Sequence, residues 1–335
     1  MGFFEQATDR VENSMNKALL IGIVLVIVFA VIPLTGSLYY VYLNTEVLIT
    51  ILFAISLNLL VGYSGLFSLG HAGFFGVGAY AYSILLMKVG LGFWGSFLIA
   101  PFVAAGAAVI IGYFCIRLTK IYFTMLTLAF AQIIWAIAFK WNSLTGGDSG
   151  MRNIMPPDYL LGINETYYFA LAVVAVLAFV LHKISCSPFG LILKTTRENP
   201  TRTEFIGINV KRYHLIAFGL AGFFAGFAGV LYIILIHAIF PDMILVRKSV
   251  EVLVMCILGG MYNFLGPALG AAIIIFLNSF ITSYFEYWSL ILGCILAMLL
   301  FFFPDGILGI TGRLIRRYRE KRAKNAPARE CDQVV

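Results

Sequence analysis

The chain has 335 residues, of which 61% are hydrophobic and only 12% charged, and its mean hydropathy is +0.96. A soluble globule of this length needs roughly a quarter of its residues charged to cover its surface, so most of this chain belongs in lipid. The formal net charge of +7 does not call for nucleic acid, because an excess of lysine and arginine at one membrane face is attracted to anionic lipid.

Apolar runs fall near residues 18 to 41, 46 to 63, 66 to 87, 93 to 116, 121 to 139, 166 to 182, 213 to 236, 250 to 265, 267 to 285 and 287 to 303. Strands of a membrane barrel would be half as long and would alternate apolar with polar side chains. The runs therefore predict an all-α, polytopic helical membrane protein of about ten transmembrane segments, two of them short and glycine-rich. Residues 1–17 are expected to form an N-terminal segment, 18–310 the membrane domain and 311–335 a basic tail. No small-residue cleavage pattern closes the first run, so it is expected to be a retained anchor rather than a signal peptide.

The stretch from Gly62 to Tyr80, GYSGLFSLGHAGFFGVGAY, interrupts this apolar pattern. In lipid a helix tolerates Gly and Ser where it is closely packed or lines a wet path, because broken backbone must find partners other than lipid. Residues 58 to 73 are expected to form a break or re-entrant turn lining a path, with Asn58, Ser64, Gly65, Ser68, Gly70 and His71 along it. For Gly73, Gly76 and Gly78 plain close packing is the expectation. His71 has two readings, capping of backbone and contact with a substrate. Further along, the turn-rich segment from Lys140 to Thr166 is either a surface for an outside partner or a flexible connector.

The 184–212 loop contains a short helix with its own punctuation. Asn199 suits the N-cap, Pro200 the first helical position and Gly207 the residue past the end. Arg202, Glu204, Phe205 and Ile206 give it polar and apolar contacts. A docking element and a solvated tether are both open on composition. A second interruption follows at Leu258 to Ala271, LGGMYNFLGPALGA, where Gly259, Gly260, Asn263, Gly266 and Pro267 supply the break. Paired interrupted segments point to a transport site. Leu in place of Gly65 or Gly266 is expected to fill the path without preventing assembly.

Lysine and arginine orient the chain. With an inside N-terminus and ten crossings, 18 of the 23 fall inside and five outside (Lys88, Lys140, Arg152, Arg247 and Lys248). Both termini are therefore expected in the cytoplasm, and a cysteine placed at residue 203 should be shielded from outside reagent. The scattered cysteines and histidines form no CxxC pair and no ligand set, so neither a metal nor a cofactor is expected. Glu46, Glu251 and Glu286 are expected at segment ends, which leaves a proton-driven mechanism little support. No G-x-x-x-x-G-K-[ST] loop is present; active transport would draw its energy from a partner. A zwitterionic substrate would be held by backbone groups, helix ends and small polar side chains.

Five stretches, SLNLLVGYSGLFSLGHAGFFGVGAY, FTMLTLAFAQIIWAIAFKWNSLTGGDSGM, RENPTRTEFIGINVKRYHLIAFGLAGFFAGFAG, LGGMYNFLGPALGA and LILGCILAMLLFFFPDGILG, are similar to the permeases of branched-chain amino acid ABC importers, the LivM-like type, in the family's order. The resemblance implies a type II-like importer permease at a bacterial or archaeal inner membrane. It implies a path formed with a second, related permease, two cytoplasmic ATPases, an extracytoplasmic substrate-binding protein and an amino acid substrate. It places Arg197, Glu198, Asn199, Pro200, Arg202, Glu204, Phe205 and Gly207 at the ATPase groove. Phe205 stands where a small residue is expected, and Asp305 where a basic residue is frequent. Same-family permeases for urea, short amides or aromatic acids remain alternatives, as does a passive channel. An integral membrane enzyme has no nucleophile, base or cofactor motif to rest on.

Overall fold

The computed structural model describes residues 37–118 and 120–284, with positions 29, 30, 33, 290, 293, 294, 297, 298, 306, 307 and 309. The expected segment 1–17, the start of the first apolar run, Glu286, Asp305 and the tail 311–335 lie outside the described residues, as does the tenth run apart from isolated positions.

The long helices are α1 (Leu38–Asn58), α2 (His71–Met87), α3 (Phe93–Cys115), α4 (Lys120–Lys140), α6 (Ile163–Cys186) and α9 (Val210–Ile236). Short helices α5 (Asn142–Thr145), α7 (Pro188–Glu198) and α8 (Pro200–Phe205) lie in connections, and α10 (Val246–Gly259) and α11 (Gly266–Tyr284) close the described chain. Two strands of two residues, β1 (Met151–Arg152) and β2 (Ala238–Ile239), pair antiparallel with Met151 opposite Ile239. The chain is a multi-pass membrane protein. Among the described residues, five helices are long and apolar enough to cross a bilayer: Leu38–Ser64, Phe93–Cys115, Ile121–Lys140, Ile163–Cys186 and Val210–Ile236.

Several expected boundaries move. The helix from Leu38 runs through Ser64, so the division placed between 41 and 46 does not exist; the polar residues in it, Asn44 and Thr45, stay within the helix by donating to the Tyr40 and Val41 carbonyls, each at 2.8 Å. Glu46 therefore sits eight residues inside α1 rather than at a segment end. The run expected at 250 to 265 is a helix of 14 residues, Val246–Gly259, about 21 Å long at 1.5 Å per residue and shorter than the ~30 Å hydrocarbon core. Glu251 lies in its second turn, 3.5 Å from Lys248.

Helices α1 and α9 form the interior; 94% of the apolar window of the first and 78% of that of the second is buried. Small residues let backbones approach. Gly222 and Gly226 of α9 face Ala104, Ala108 and Pro101 of α3, and a Cβ on Gly78 of α2 would lie 2.5 Å from Gly226 Cα. Helices α3 and α4 instead turn Phe102, Ile110, Phe114, Ile121 and Met125 outward, as a lipid solvent permits.

The segment between α4 and α6 makes contacts with the rest of the chain. Thr145 Oγ1 donates to the carbonyl of Ala138 at 2.6 Å, Lys88 Nζ donates to the carbonyl of Ser143, β1 pairs with β2, and Arg152 lies 5.3 Å from the Phe240 ring centroid.

Candidate translocation and coupling site

The first interruption begins where α1 loosens into a π-helical turn, Leu59–Ser64, which stops at Gly65 with φ +72°. That left-handed conformation costs an L-residue with a Cβ and suits glycine. Residues 65–70 then run without helix, so their backbone needs outside partners. Helix α4 supplies two: Thr124 Oγ1 donates to the Phe67 carbonyl at 2.7 Å, and Thr127 Oγ1 accepts from the Leu69 N–H at 3.3 Å. Ser68 Oγ accepts from the Gly70 N–H at 3.3 Å, and Ser64 Oγ donates back to the Leu59 carbonyl at 3.2 Å.

Helix α2 restarts at His71. Its side chain is fully buried, stacked on Phe53 with centroids 5.1 Å apart, and its Nε2 is 2.8 Å from Ser56 Oγ. His71 thus joins two helices side chain to side chain and caps no backbone. The cap comes from α10, where Ser249 Oγ accepts the Ala72 N–H at 2.9 Å. Sequence reading missed Ser249, since nothing local to residues 246–252 reveals that it meets a helix 177 positions earlier.

In the second interruption α10 stops at Gly259, Gly260 has φ +109°, and α11 starts at Gly266. A Cβ on Gly259 would collide with the Gly266 carbonyl, one on Gly266 with the Gly260 carbonyl, and one on Gly270 with the Met255 carbonyl. These glycines hold backbone against backbone. The two interruptions also meet. Asn58 Nδ2 donates to the Asn263 carbonyl at 3.4 Å, a Cβ on Gly62 would collide with the Met261 carbonyl, and Cys256 Sγ donates to the Ala54 carbonyl at 3.3 Å.

A half-open cleft of about 490 Å³ lies beside this junction, lined by Val61, Gly65, Leu66, Phe67, Ile121, Phe123, Thr124, Arg197, Met261 and Tyr262. Of the ten expected path residues, Gly65 alone lines it; Asn58, Ser64, Ser68, Gly70, His71, Gly259 and Gly266 are buried in packing. The expectation that Leu at Gly266 would fill open space is therefore corrected. At that position a side chain breaks a backbone contact, whereas at Gly65 the Cβ would meet Arg197 Cγ at 2.8 Å.

The expected short helix forms as α8, Pro200–Phe205. Asn199 Oδ1 accepts the Arg202 N–H at 3.0 Å, and Gly207 has φ +87°. Thr203 is its buried residue, with N–H and Oγ1 donating to the Asn199 carbonyl at 3.2 and 2.9 Å. Phe205 and Ile206 are 85% and 72% exposed, and Arg202 and Glu204 are exposed beside them. Burial makes residue 203 a poor labelling position, and Phe205 a better one. Immediately before α8 lies α7, which sequence reading missed although Ser187–Pro188 and the late Arg197 are start and stop signals. Arg197 does not join the exposed group: it points back, donating to the Gly62 carbonyl, with its guanidinium carbon 4.8 Å from the Tyr262 ring centroid. Among the described residues, no group of three His, Cys, Asp or Glu side chains could hold a metal.

Comparison with known proteins adds to this geometry. Residues 39–302 match a family model described as the branched-chain amino acid transport system / permease component. The chain is 28% identical over 329 residues to the high-affinity branched-chain amino acid transport system permease protein LivM of Escherichia coli K12 and, equally, to that of Salmonella typhimurium LT2; each alignment covers 90% of this chain and 77% of the relative. No solved structure matches.

Proposed function

Because the chain belongs to the branched-chain amino acid transport permease family, we propose that it is the membrane permease subunit of an ATP-driven importer for branched-chain or other hydrophobic amino acids. The observation that carries this reading is the meeting of two interrupted segments beside a cleft, with a capped, exposed short helix next to it. A second homologous permease completes the path, two ABC ATPases dock on the 184–212 loop, and an extracytoplasmic binding protein delivers the amino acid. Both termini lie in the cytoplasm of a bacterial or archaeal cell, and about ten segments, the short α10 counted among them, enter its inner membrane.

In this mechanism the cleft beside Gly65 and the junction of Asn58, Gly62 and Asn263 form the part of the path contributed by this subunit. Ser64, Ser68, Gly70, His71, Gly259, Gly260 and Gly266 shape it by packing rather than by touching the substrate. Phe205 and Ile206 supply an apolar contact to the ATPase groove, while Arg202 and Glu204 flank them with opposite charge. Asn199, Pro200 and Gly207 fix the ends of that helix, so that a push on it moves a rigid body. Arg197 and Glu198 are the last residues of α7 and lead into it through Asn199.

Copurification tests the assembly. The tagged chain, extracted in mild detergent from its native membrane, should bring down a second permease and two ATPases in stoichiometric amounts. A chain that purifies alone, and still equilibrates leucine across liposomes, is a channel and ends this reading.

A further inference from the structure

Helix α7 presents two cations, one turn apart, to the interrupted segments. Lys194 Nζ lies 5.0 Å from the Tyr63 ring centroid, in the π-helical turn. Arg197 donates to the Gly62 carbonyl in that same turn and stacks on Tyr262 of the second interruption. The carbonyls at the end of a helix lack intrahelical partners and carry its negative dipole end, so a guanidinium is well suited to cap them. The aliphatic stem of Arg197 occupies the space that a side chain at Gly65 would need, and Arg197 is among the residues that line the cleft. On the other side, Arg197 is two residues from Asn199, whose extended backbone (φ −154°, ψ 97°) begins α8.

We propose that Arg197 is the positioning residue that couples α8 to the cleft, holding the two interruptions together and withdrawing from them when α8 moves. The inference rests on the reading of α8 as an ATPase-docking helix. A rigid helix that shifts carries its adjoining residues with it, and Arg197 is the residue there that reaches both interruptions. In the described arrangement its guanidinium ties Gly62 to Tyr262 beside the cleft. Displacement of α8 pulls on that tie, and loss of the tie frees the turn at Gly65, whose left-handed backbone is already a bend.

The test uses the intact complex in liposomes, with its ATPases and binding protein, and reads leucine transported per ATP hydrolysed. A side chain that only stabilises the fold lowers transport and hydrolysis together and leaves this ratio unchanged. For Arg197→Ala the ratio should fall roughly tenfold, within the range typical of coupling between sites, while both ATPases remain bound. Arg197→Lys, which keeps a cation near the Gly62 carbonyl, should recover a large part of it. An Arg197→Ala ratio equal to that of the unmodified complex overturns the proposal. Should Arg197→Ala fail to assemble, Tyr262→Leu decides: this ring is 60% exposed and its loss removes one side of the tie, so the ratio should fall severalfold, and an unchanged ratio again overturns it. Failure of the docking reading is distinguishable, because it shows in the unmodified complex as uptake that ignores ATP.

Discussion

Replacing Thr203 with proline attacks α8, the helix proposed to dock the ATPase, with little effect on the membrane core. Thr203 is the fourth residue of α8, and its N–H makes the first turn-closing bond, to the Asn199 carbonyl at 3.2 Å. Proline removes that donor and sets its ring against the preceding turn, a cost of about 3 kcal/mol in a helix interior. A six-residue helix has few hydrogen bonds with which to absorb it. At 1.4 kcal/mol per tenfold, that shifts the balance between formed and unformed α8 by about two orders of magnitude. Thr203→Val is the control: it keeps the N–H and the volume, and loses only the hydroxyl bond at 2.9 Å, about 1 kcal/mol. The other residues of α8 are exposed, so expression and membrane insertion should be normal for both variants. In proteoliposomes holding the complete complex, Thr203→Pro should reduce leucine uptake by at least about tenfold, or lose its ATPases on purification, and Thr203→Val should stay within a few-fold of the unmodified protein. Uptake at the unmodified rate by an assembled Thr203→Pro complex would refute the assignment of α8 as the point where energy enters.

Leu in place of Gly65 and of Gly266 should give different failures: the first, strained at φ +72° and pressed on Arg197, should yield folded protein without uptake, whereas the second should lose folded protein on size-exclusion chromatography because it parts two backbones. Equal behaviour of the two would contradict the packing described. Ser249→Ala, which orphans the Ala72 N–H at the start of α2, should lower the thermal midpoint by an amount equivalent to about 0.5–2 kcal/mol, and Ser249→Thr should retain most of it. His237, in left-handed backbone at φ +60° past α9, has a pKa held below its ordinary value by burial. The folded state thus disfavours the imidazolium, and stability should be intact above the unfolded pKa of about 6.5 and decline as pH falls through it. Asn, which tolerates that backbone, should flatten this part of the pH profile of thermal unfolding; an unchanged slope would remove His237 as its cause.

Much of this architecture is legible in the residues themselves. Long apolar runs set the helices because lipid forces backbone to satisfy itself, and the Asn199–Pro200 pair with Gly207 marked α8 to within a residue since capping is local chemistry. The broken segments were visible as glycine and serine where lipid would not choose them. What those glycines do was not visible. Gly65 meets an arginine 132 positions away and Gly266 meets Gly260 in a tight turn, and only the three-dimensional contacts separate a glycine that lines a cleft from one that admits a backbone. The role of His71 was hidden for the same reason, as its partners Ser56 and Phe53 lie on the preceding helix. Helix α7 escaped because its apolar residues, Leu191, Ile192 and Leu193, are clustered and do not extend into a long run, although its amphipathic pattern carried Lys194 and Arg197 on a shared side.

In the function proposed above, this subunit forms part of a path opened by ATP hydrolysed elsewhere. The decisive measurement is radiolabelled leucine uptake into liposomes containing the copurified complex, with ATP supplied on the ATPase side and loaded binding protein on the other. Uptake against a leucine gradient that requires both ATP and binding protein, and stops with a non-hydrolysable analogue, is the predicted result. Leucine that merely equilibrates, at the same rate with and without ATP, would contradict it.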